Sequence, residues 1–331
     1  MLKTPRLMKL AALMLAGLVL APMAAHAQTF RLAHHHAVGG TADVAANKFA
    51  ELVKEKTDGR VTIRVFPGAQ LGQEREAYDL VNQGAIDISI TSSSILDKVY
   101  PPMSITSLPF VFDGWDHANA AFEGEFGDTL TAAVREASDT EILSYIGIGF
   151  RDLMFTGEPR TSIAQMAGVK MRSPENFVFI RMFELMGARP TPVTWGEVYT
   201  AMQTGVAEGF DTPAGVALDM KFQEVTQSLV KTGHMFGIMV FAMNENKFNT
   251  LSDQDKAALR EAAWETRDFL DETVTKPAEN SAYGTLEAAG ITVVEPDDKE
   301  EWRTAMQPLI DEIKARNDGS TELLDLLAST R

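Results

Sequence analysis

Residues 169–176 read Val-Lys-Met-Arg-Ser-Pro-Glu-Asn, and Arg172 stands where the apolar positions Val169 and Met171 give way to Ser173-Pro174. Proline pushes its predecessor away from helix and lacks a donor for a ladder, so a strand is expected to stop here. The carboxyl ends of strands in open α/β sheets are where ligands bind. A guanidinium at that place can hold a carboxylate through two parallel hydrogen bonds, giving orientation as well as attraction. The plainer alternative is a surface or bracing arginine, since most arginines lie at least partly in water.

Other residues invite chemistry. In His34-His35-His36 successive side chains of a strand face opposite ways, so at most His34 and His36 share a side. No carboxylate or thiolate beside them completes a tetrahedral set, and a histidine lining a polar cleft is expected in place of a metal site. Gly147-Ile148-Gly149-Phe150-Arg151-Asp152 begins like a dinucleotide fingerprint, but Asp152 occupies the third glycine position and a strand-like run follows where a helix is required. The sequence has no G-x-S-x-G elbow, Walker loop or H-E-x-x-H helix, so neither a cofactor nor an enzyme is predicted. Trp195 reads either as core or, after Thr191-Pro192-Val193, as an aromatic wall against a ligand. Met182, Phe183 and Met186 have the spacing of helix packing.

The elements that must position these residues follow from periodicity. A strand at Thr29–His34 leads to helical spacing at Val44, Ala45, Phe49, Leu52 and Val53, closed by Asp58-Gly59. Val61, Ile63 and Val65 alternate as a strand before Pro67-Gly68, and Ala77, Leu80 and Val81 predict a helix ending near Gly84, followed by a strand at 85–90. Further strands are expected at 141–149, 152–156, 169–172, 209–211, 229–232 and 238–243. Such alternation predicts an α/β protein with largely parallel sheets covered on both faces. Thr194 and Glu197 have the spacing of a capping box opening a helix at Trp195. Ser252 opens a long helical segment in which Pro277 predicts a kink or break.

Composition sets the outer bounds. The chain has 331 residues, 45% apolar and 23% charged, which suits two lobes better than one core. Met1–Ala27, with Lys3, Arg6 and Lys9 ahead of the apolar run 10–20 and Ala25-His26-Ala27 behind it, reads as a cleavable secretory signal. Its removal takes the formal charge from −16 to −19. That charge argues against nucleic acid or an anionic membrane as partner. Cysteine is absent, which excludes disulfides, thiol catalysis and thiolate metal sites, and suits a bacterial periplasm.

Four stretches carry a resemblance: FRLAHHHAVGGTADVAANKFAELVKEKTDGRVTIRVFPGAQLGQE, QGAIDISIT, GVKMRSPEN and PTPVTWGEVYTAMQTGVAEGFDTP. In this order and spacing they resemble the solute receptors of TRAP transporters, of the DctP type. The resemblance implies a two-lobed periplasmic-binding-protein fold with crossing hinge strands and a long inter-lobe helix. Residues 28–149 and 238–277 would form one lobe, 150–237 and 278–331 the other. It further implies a cleft that closes over a small organic acid, delivered to a small and a large membrane subunit driven by an ion gradient. Arg172 matches the family's signature arginine and Arg151 a second one near the hinge. Trp195, His234, His34 and Glu74 match positions near or against the ligand, as does the Ser92-Ser93 region.

Asp211 departs from the family's usual asparagine. An asparagine can donate to a second carboxylate oxygen, whereas an ionised aspartate only accepts. Asp211 is therefore expected either to brace Arg172 or Arg151, or to accept from a ligand hydroxyl or amino group, which weakens a simple dicarboxylate assignment. Phe210-Asp211 also lacks the Glu-Trp pair of the branch that binds 2-oxo acids through a cation. The expected function is a periplasmic receptor for a hydroxylated sugar acid or similar acid. Its rivals are a periplasmic hydrolase or isomerase using Asp211, His234 and an arginine, and a receptor that signals to a membrane kinase.

Overall fold

The computed structural model describes residues 27–331, so the expected leader lies outside the described residues except for Ala27. Among the described residues, nine strands form one sheet: β1 Gln28–His34, β2 Val61–Phe66, β3 Ile88–Ser92, β4 Thr140–Phe155, β5 Lys170–Ser173, β6 Arg189–Pro192, β7 Gly209–Pro213, β8 Ser228–Asn244 and β9 Thr292–Val294. Their order is β2-β1-β3-β8-β4-β7-β5-β6, with β9 added on β8. The fold is two-lobed α/β, each lobe built around its own set of parallel strands.

The sheet is mixed and not largely parallel. β1 runs parallel to β2 and β3, and β5 parallel to β6 and β7, while β4 and β8 are antiparallel to each other and to β7 and β3 respectively. Each parallel set is the centre of one half. β4 and β8 run through both, and each is a single strand where the sequence suggested two.

Glycines misled that reading. Gly149 has φ +102° and sits where the β4–β8 register shifts, and Gly233 has φ +52° in the stretch between the pairs Arg151↔Met235 and Leu153↔Val230. Glycine supplies such backbone angles without steric cost, so what reads as a chain turn is a bulge inside a continuous strand.

Helix Thr41–Lys56 buries Ala42, Ala45, Ala46, Phe49 and Val53 against Phe30, Leu32 and Ile88, so the predicted apolar face becomes the core of the first half. In the second half Phe210, Phe222 and Leu229 pack with Val198, Met202 and Leu286. A larger cluster joins the halves, holding Met103, Phe126 and Tyr145 together with Met171, Met182 and Trp302. The last helix, Ser320–Ser329, packs on segment Pro101–Ser107 and helix Glu125–Ala137.

The long helical segment begins as predicted, with the Ser252 side chain accepting from the Asp255 amide. It neither breaks nor stops at Pro277. Asp253–Leu270 passes through a π turn, Asp271–Thr275, into Lys276–Ala288. A π turn ahead of a proline gives its ring room against the preceding turn, and within this one Thr275 Oγ1 donates to Leu270 O. The first part packs on helix Thr41–Lys56 and β4, the last on helix Ala214–Asp219 and β9, so the segment spans both halves. Among the described residues, no helix is long and apolar enough to cross a membrane.

One buried acid on β4 gives a test of this core. Asp152 is fully buried, accepting from Gly233 N at 2.9 Å and Tyr283 Oη at 2.7 Å. Burial nevertheless pushes its pKa up to about 6, against the downward pull of those bonds. A raised folded-state pKa means that its stabilising contribution is complete below the unfolded value and is lost as pH rises through the folded one. Asp152→Asn is therefore expected to gain on wild type by about 2 kcal/mol between roughly pH 4 and pH 7, as measured by urea unfolding. A pH-independent difference would show that folding leaves the pKa of this carboxyl unshifted.

Candidate functional site

Strand ends place the key groups. β5 ends at Ser173 before Pro174, and Arg172, one residue earlier, is 3% exposed. Its Nε donates to Val193 O at 2.9 Å, just beyond β6, and its guanidinium lies 5.5 Å from the centre of the Trp195 ring. The two terminal nitrogens make no hydrogen bond among the described residues and face a cavity. That cavity also takes Glu74, Ser92, Ser93 and Ser94 from the first half, Arg151 from β4, and Trp195. Its volume is about 60 Å³. A second hollow of about 280 Å³ shares Glu74, Ser94, Arg172 and Trp195 and leads out past the exposed Thr194 and Glu197.

Arg151 is held from behind. Its Nε donates to Asp211 Oδ2 at 2.6 Å and its Nη2 to the Asp211 carbonyl at 2.5 Å, while the Phe179 ring lies 5.1 Å from the guanidinium carbon. Asp211 is completely buried on β7. Burial works to raise its pKa, but the Arg151 charge and the bonds from His234 and Arg151 prevail, holding the carboxyl well below the usual range. His234 completes the chain, with Nε2 at 3.3 Å from Asp211 Oδ2 and Nδ1 at 2.7 Å from Thr232 Oγ1. Of the two roles open to Asp211, the geometry places it as a brace on Arg151. Asp211 and His234 stand behind the cavity wall and not in it, because strand pairing turns both side chains toward the interior and their bonds go to one another.

Arg172 is desolvated more than it is paired. Burial and the neighbouring charge of Arg151 push its pKa down to about 10, against Asp211 and Glu74, so it remains charged at neutral pH. Opposite, Glu74 Oε1 accepts from Ser92 N at 2.7 Å and Thr91 Oγ1 at 3.3 Å. Burial favours its neutral form, yet His35, the Ser92 bond and Arg172 hold the pKa below its ordinary value. Burial, only partly offset by Glu74, lowers His35 in turn, so that imidazole is neutral near pH 7.

His34 has to be corrected. Its ring points away from the cavity, with Nε2 3.1 Å from Asp43 Oδ1, and the same carboxylate accepts from Gly39 N through Oδ2. β1 ends at His34, so alternation no longer governs the next two residues, and His35 and His36 are the ones that line the cavity. Sequence reasoning missed them, together with Ser94, Phe179 and Thr212. The triplet itself was the signal, since a polar run just past the carboxyl end of a strand reaches a cleft whichever way it alternates. The Thr194–Glu197 pair is also only half as expected: Thr194 Oγ1 donates to Glu197 Oε2 at 2.6 Å, without a side-chain cap on the backbone, and a short 3₁₀ turn precedes helix Val198–Gln203. Among the described residues, no group of three or more His, Cys, Asp or Glu is placed to hold a metal ion.

The halves meet over the cavity through groups from opposite sides. Thr41 donates from N and Oγ1 to Asp219 Oδ2 at 2.9 and 3.0 Å, and Asn176 Nδ2 donates to Ser94 O at 3.1 Å and Asp97 Oδ2 at 2.8 Å. His36 stacks on Trp195 with 5.7 Å between ring centres. Two lobes, a shared pair of long strands and a buried arginine with unused donors define the class: a binding protein that closes over an anion.

Sequence and structure comparisons place it more closely. Residues 32–317 match the family described as bacterial extracellular solute-binding protein, family 7 (DctP), and the chain belongs to that family. It is 29% identical to the 2,3-diketo-L-gulonate-binding periplasmic protein YiaO of Escherichia coli, over 89% of this chain and 90% of that one. It is also 29% identical to the sialic acid-binding periplasmic protein SiaP of Vibrio cholerae, over 86% and 88%. Among solved structures, a TRAP periplasmic solute-binding protein from Roseobacter denitrificans with bound β-D-glucuronate superposes with a TM-score of 0.88. That pair is 29% identical, and the match covers 92% of this chain and 100% of that one.

The Thr41–Asp219 contact gives a test of closure. Asp219→Ala removes two hydrogen bonds between the halves without touching the cavity wall. An expected loss of about 1 kcal/mol from the closed form corresponds to roughly fivefold weaker ligand binding by calorimetry. Unchanged affinity would mean that the contact is equally made with the halves apart.

Proposed function

We propose that the protein is the periplasmic receptor of a TRAP transporter for a small hydroxylated carboxylic acid of the sugar-acid class. It carries the acid to a small and a large membrane subunit for ion-gradient-driven uptake, and catalyses nothing. Arg172 carries this reading: a buried cation with two donors free toward a cavity between the halves is arranged for a carboxylate headgroup. Trp195 gives the headgroup a flat wall, Arg151 offers its remaining nitrogen, and Glu74 with Ser92 and Ser93 suits ligand hydroxyls. Family membership supports the reading, as do the acids named for its relatives, 2,3-diketo-L-gulonate, sialic acid and glucuronate. We place the hinge where β4 and β8 cross at Gly149 and Ile238, with 28–149 and 238–277 on one side and most of the remainder on the other. The leader Met1–Ala27 would be cleaved on export.

A thermal-shift screen of aldonic and uronic acids tests the ligand class. An acid at a hundredfold its Kd stabilises the folded state by about 2.7 kcal/mol. Arg172→Ala is expected to abolish that shift while keeping the circular-dichroism spectrum and a stability equal to or above wild type, because an unpaired buried charge has been removed. Retained affinity would overturn the assigned grip. Turnover of the bound acid on long incubation would favour the hydrolase or isomerase reading instead.

A further inference from the structure

The charge balance around the cavity goes a step beyond the class of ligand. Four ionised side chains govern it: Arg172 and Glu74 face each other across the space, and Arg151 is matched by Asp211 behind it. Their charges sum to zero before anything binds. Of the two cations, Arg172 alone has its whole terminal face free, since its single protein bond is from Nε to a neutral carbonyl. Arg151 spends Nε and Nη2 on Asp211 and keeps only Nη1, so it presents a hydrogen-bond donor whose charge is already neutralised at 2.6 Å. The far wall carries Glu74, whose Oε1 is taken by Ser92 and Thr91 while Oε2 is free to accept. Outside, the walls of the outer hollow carry Arg75 together with Glu175 and Glu197, so no surplus positive charge waits for a distal anion there.

We infer that the site accepts a ligand bearing one negative charge only, with the Asp211–Arg151 pair excluding a second carboxylate and Glu74 requiring a hydroxyl or amino donor in its place. The inference rests on the sugar-acid reading above and adds a charge count to it. A first carboxylate meets Arg172. A second would meet either a guanidinium already neutralised by Asp211 or the Glu74 carboxylate, and a like charge in a desolvated space costs several kcal/mol. Asp211 is thus a specificity-determining residue that never touches the ligand. It acts through Arg151, as a counter-ion fixed in the fold where a diacid would otherwise supply its own.

Matched acids that differ only at one terminus test this: D-erythronate with meso-tartrate, D-gluconate with D-glucarate, and D-galactonate with galactarate, measured by calorimetry on the whole mature chain. Wild type is expected to prefer the best-binding monoacid over its diacid by on the order of a hundredfold. Whatever diacid binds should take up one proton more than the monoacid, read from heats in buffers of different ionisation enthalpy. Asp211→Asn keeps an acceptor for Arg151 and removes the counter-charge, so it should narrow the preference at least tenfold, chiefly by strengthening the diacid. A residue that merely braced the fold would weaken both acids together and leave their ratio unchanged, and that result overturns the inference. Equal binding of mono- and diacid by wild type, or diacid binding without proton uptake, overturns it too while leaving the receptor reading intact. Failure of every acid to bind removes the sugar-acid reading and the charge count with it. Should the variant fail to fold, the wild-type ratio and proton uptake decide alone.

Discussion

Arg172 keeps its charge in a crevice where water hardly reaches, and much of the remaining architecture answers that constraint. An ion withdrawn from water costs several kcal/mol unless its donors are met, and here one donor meets a carbonyl and the aromatic face of Trp195 covers part of the rest. The nearby positive charge of Arg151 makes matters worse, and Asp211 works against that penalty. A closed but empty site is therefore under electrostatic tension, which an incoming carboxylate relieves. A ligand can shift an equilibrium only by its differential affinity for the two states. The tension supplies that difference, because with the halves apart the same guanidinium would be hydrated and would gain less from the anion.

The fold delivers this arrangement through two long antiparallel strands. β4 and β8 share the sheet of both halves, so each half can be built as an ordinary parallel set with ligand groups at its strand ends. Two of the three register shifts along the pair lie beside the cavity. One puts Gly149 just ahead of Arg151, and the longer irregularity puts His234 where its ring can meet Asp211. Gly237 faces the cavity, where a β-carbon would come within 2.7 Å of Ile148. The bulges aim side chains and thin the backbone at the same place, so the crossing strands serve as both hinge and floor. Their regularly paired portions away from the cavity, Thr140–Ile142 and Leu229–Val230 among them, remain buried.

What could be read from the sequence divides along physical lines. The amphipathic period of helix Thr41–Lys56 and the alternation in β2 were legible because burial of one face dictates residue type every few positions. Arg172 was legible because a proline marks a strand end locally. The unity of β4 and of β8 was not, since bulge and turn use the same glycines and only a pairing partner distant in sequence tells them apart. The placement of His34 away from the cavity, with His35 and His36 toward it, depended on where β1 stops, and nothing in three identical residues encodes that. The brace on Arg151 was left open between two alternatives, because the choice rests on a contact between positions sixty residues apart.

The acidic character of the chain gives the buried grip a further meaning. With a formal charge of −16 over the full sequence, the surface offers an organic anion no long-range attraction. At physiological salt the Debye length is about 8 Å, so an arriving acid senses Arg172 only once it is inside the outer hollow. Recognition must then come late, at contact, and affinity must reside mainly in slow release and not in fast capture. That division would suit the proposed carrier, whose cargo has to be given up at a membrane: the contacts that would slow release are those made between the halves, Thr41 with Asp219 and Asn176 with Ser94 and Asp97. A partner that pulled the halves apart would restore water to Arg172 and weaken its hold on the acid in the same movement. In the proposed role, opening and unloading would be one physical event, because Arg172 would hold the acid strongly only while it is dry.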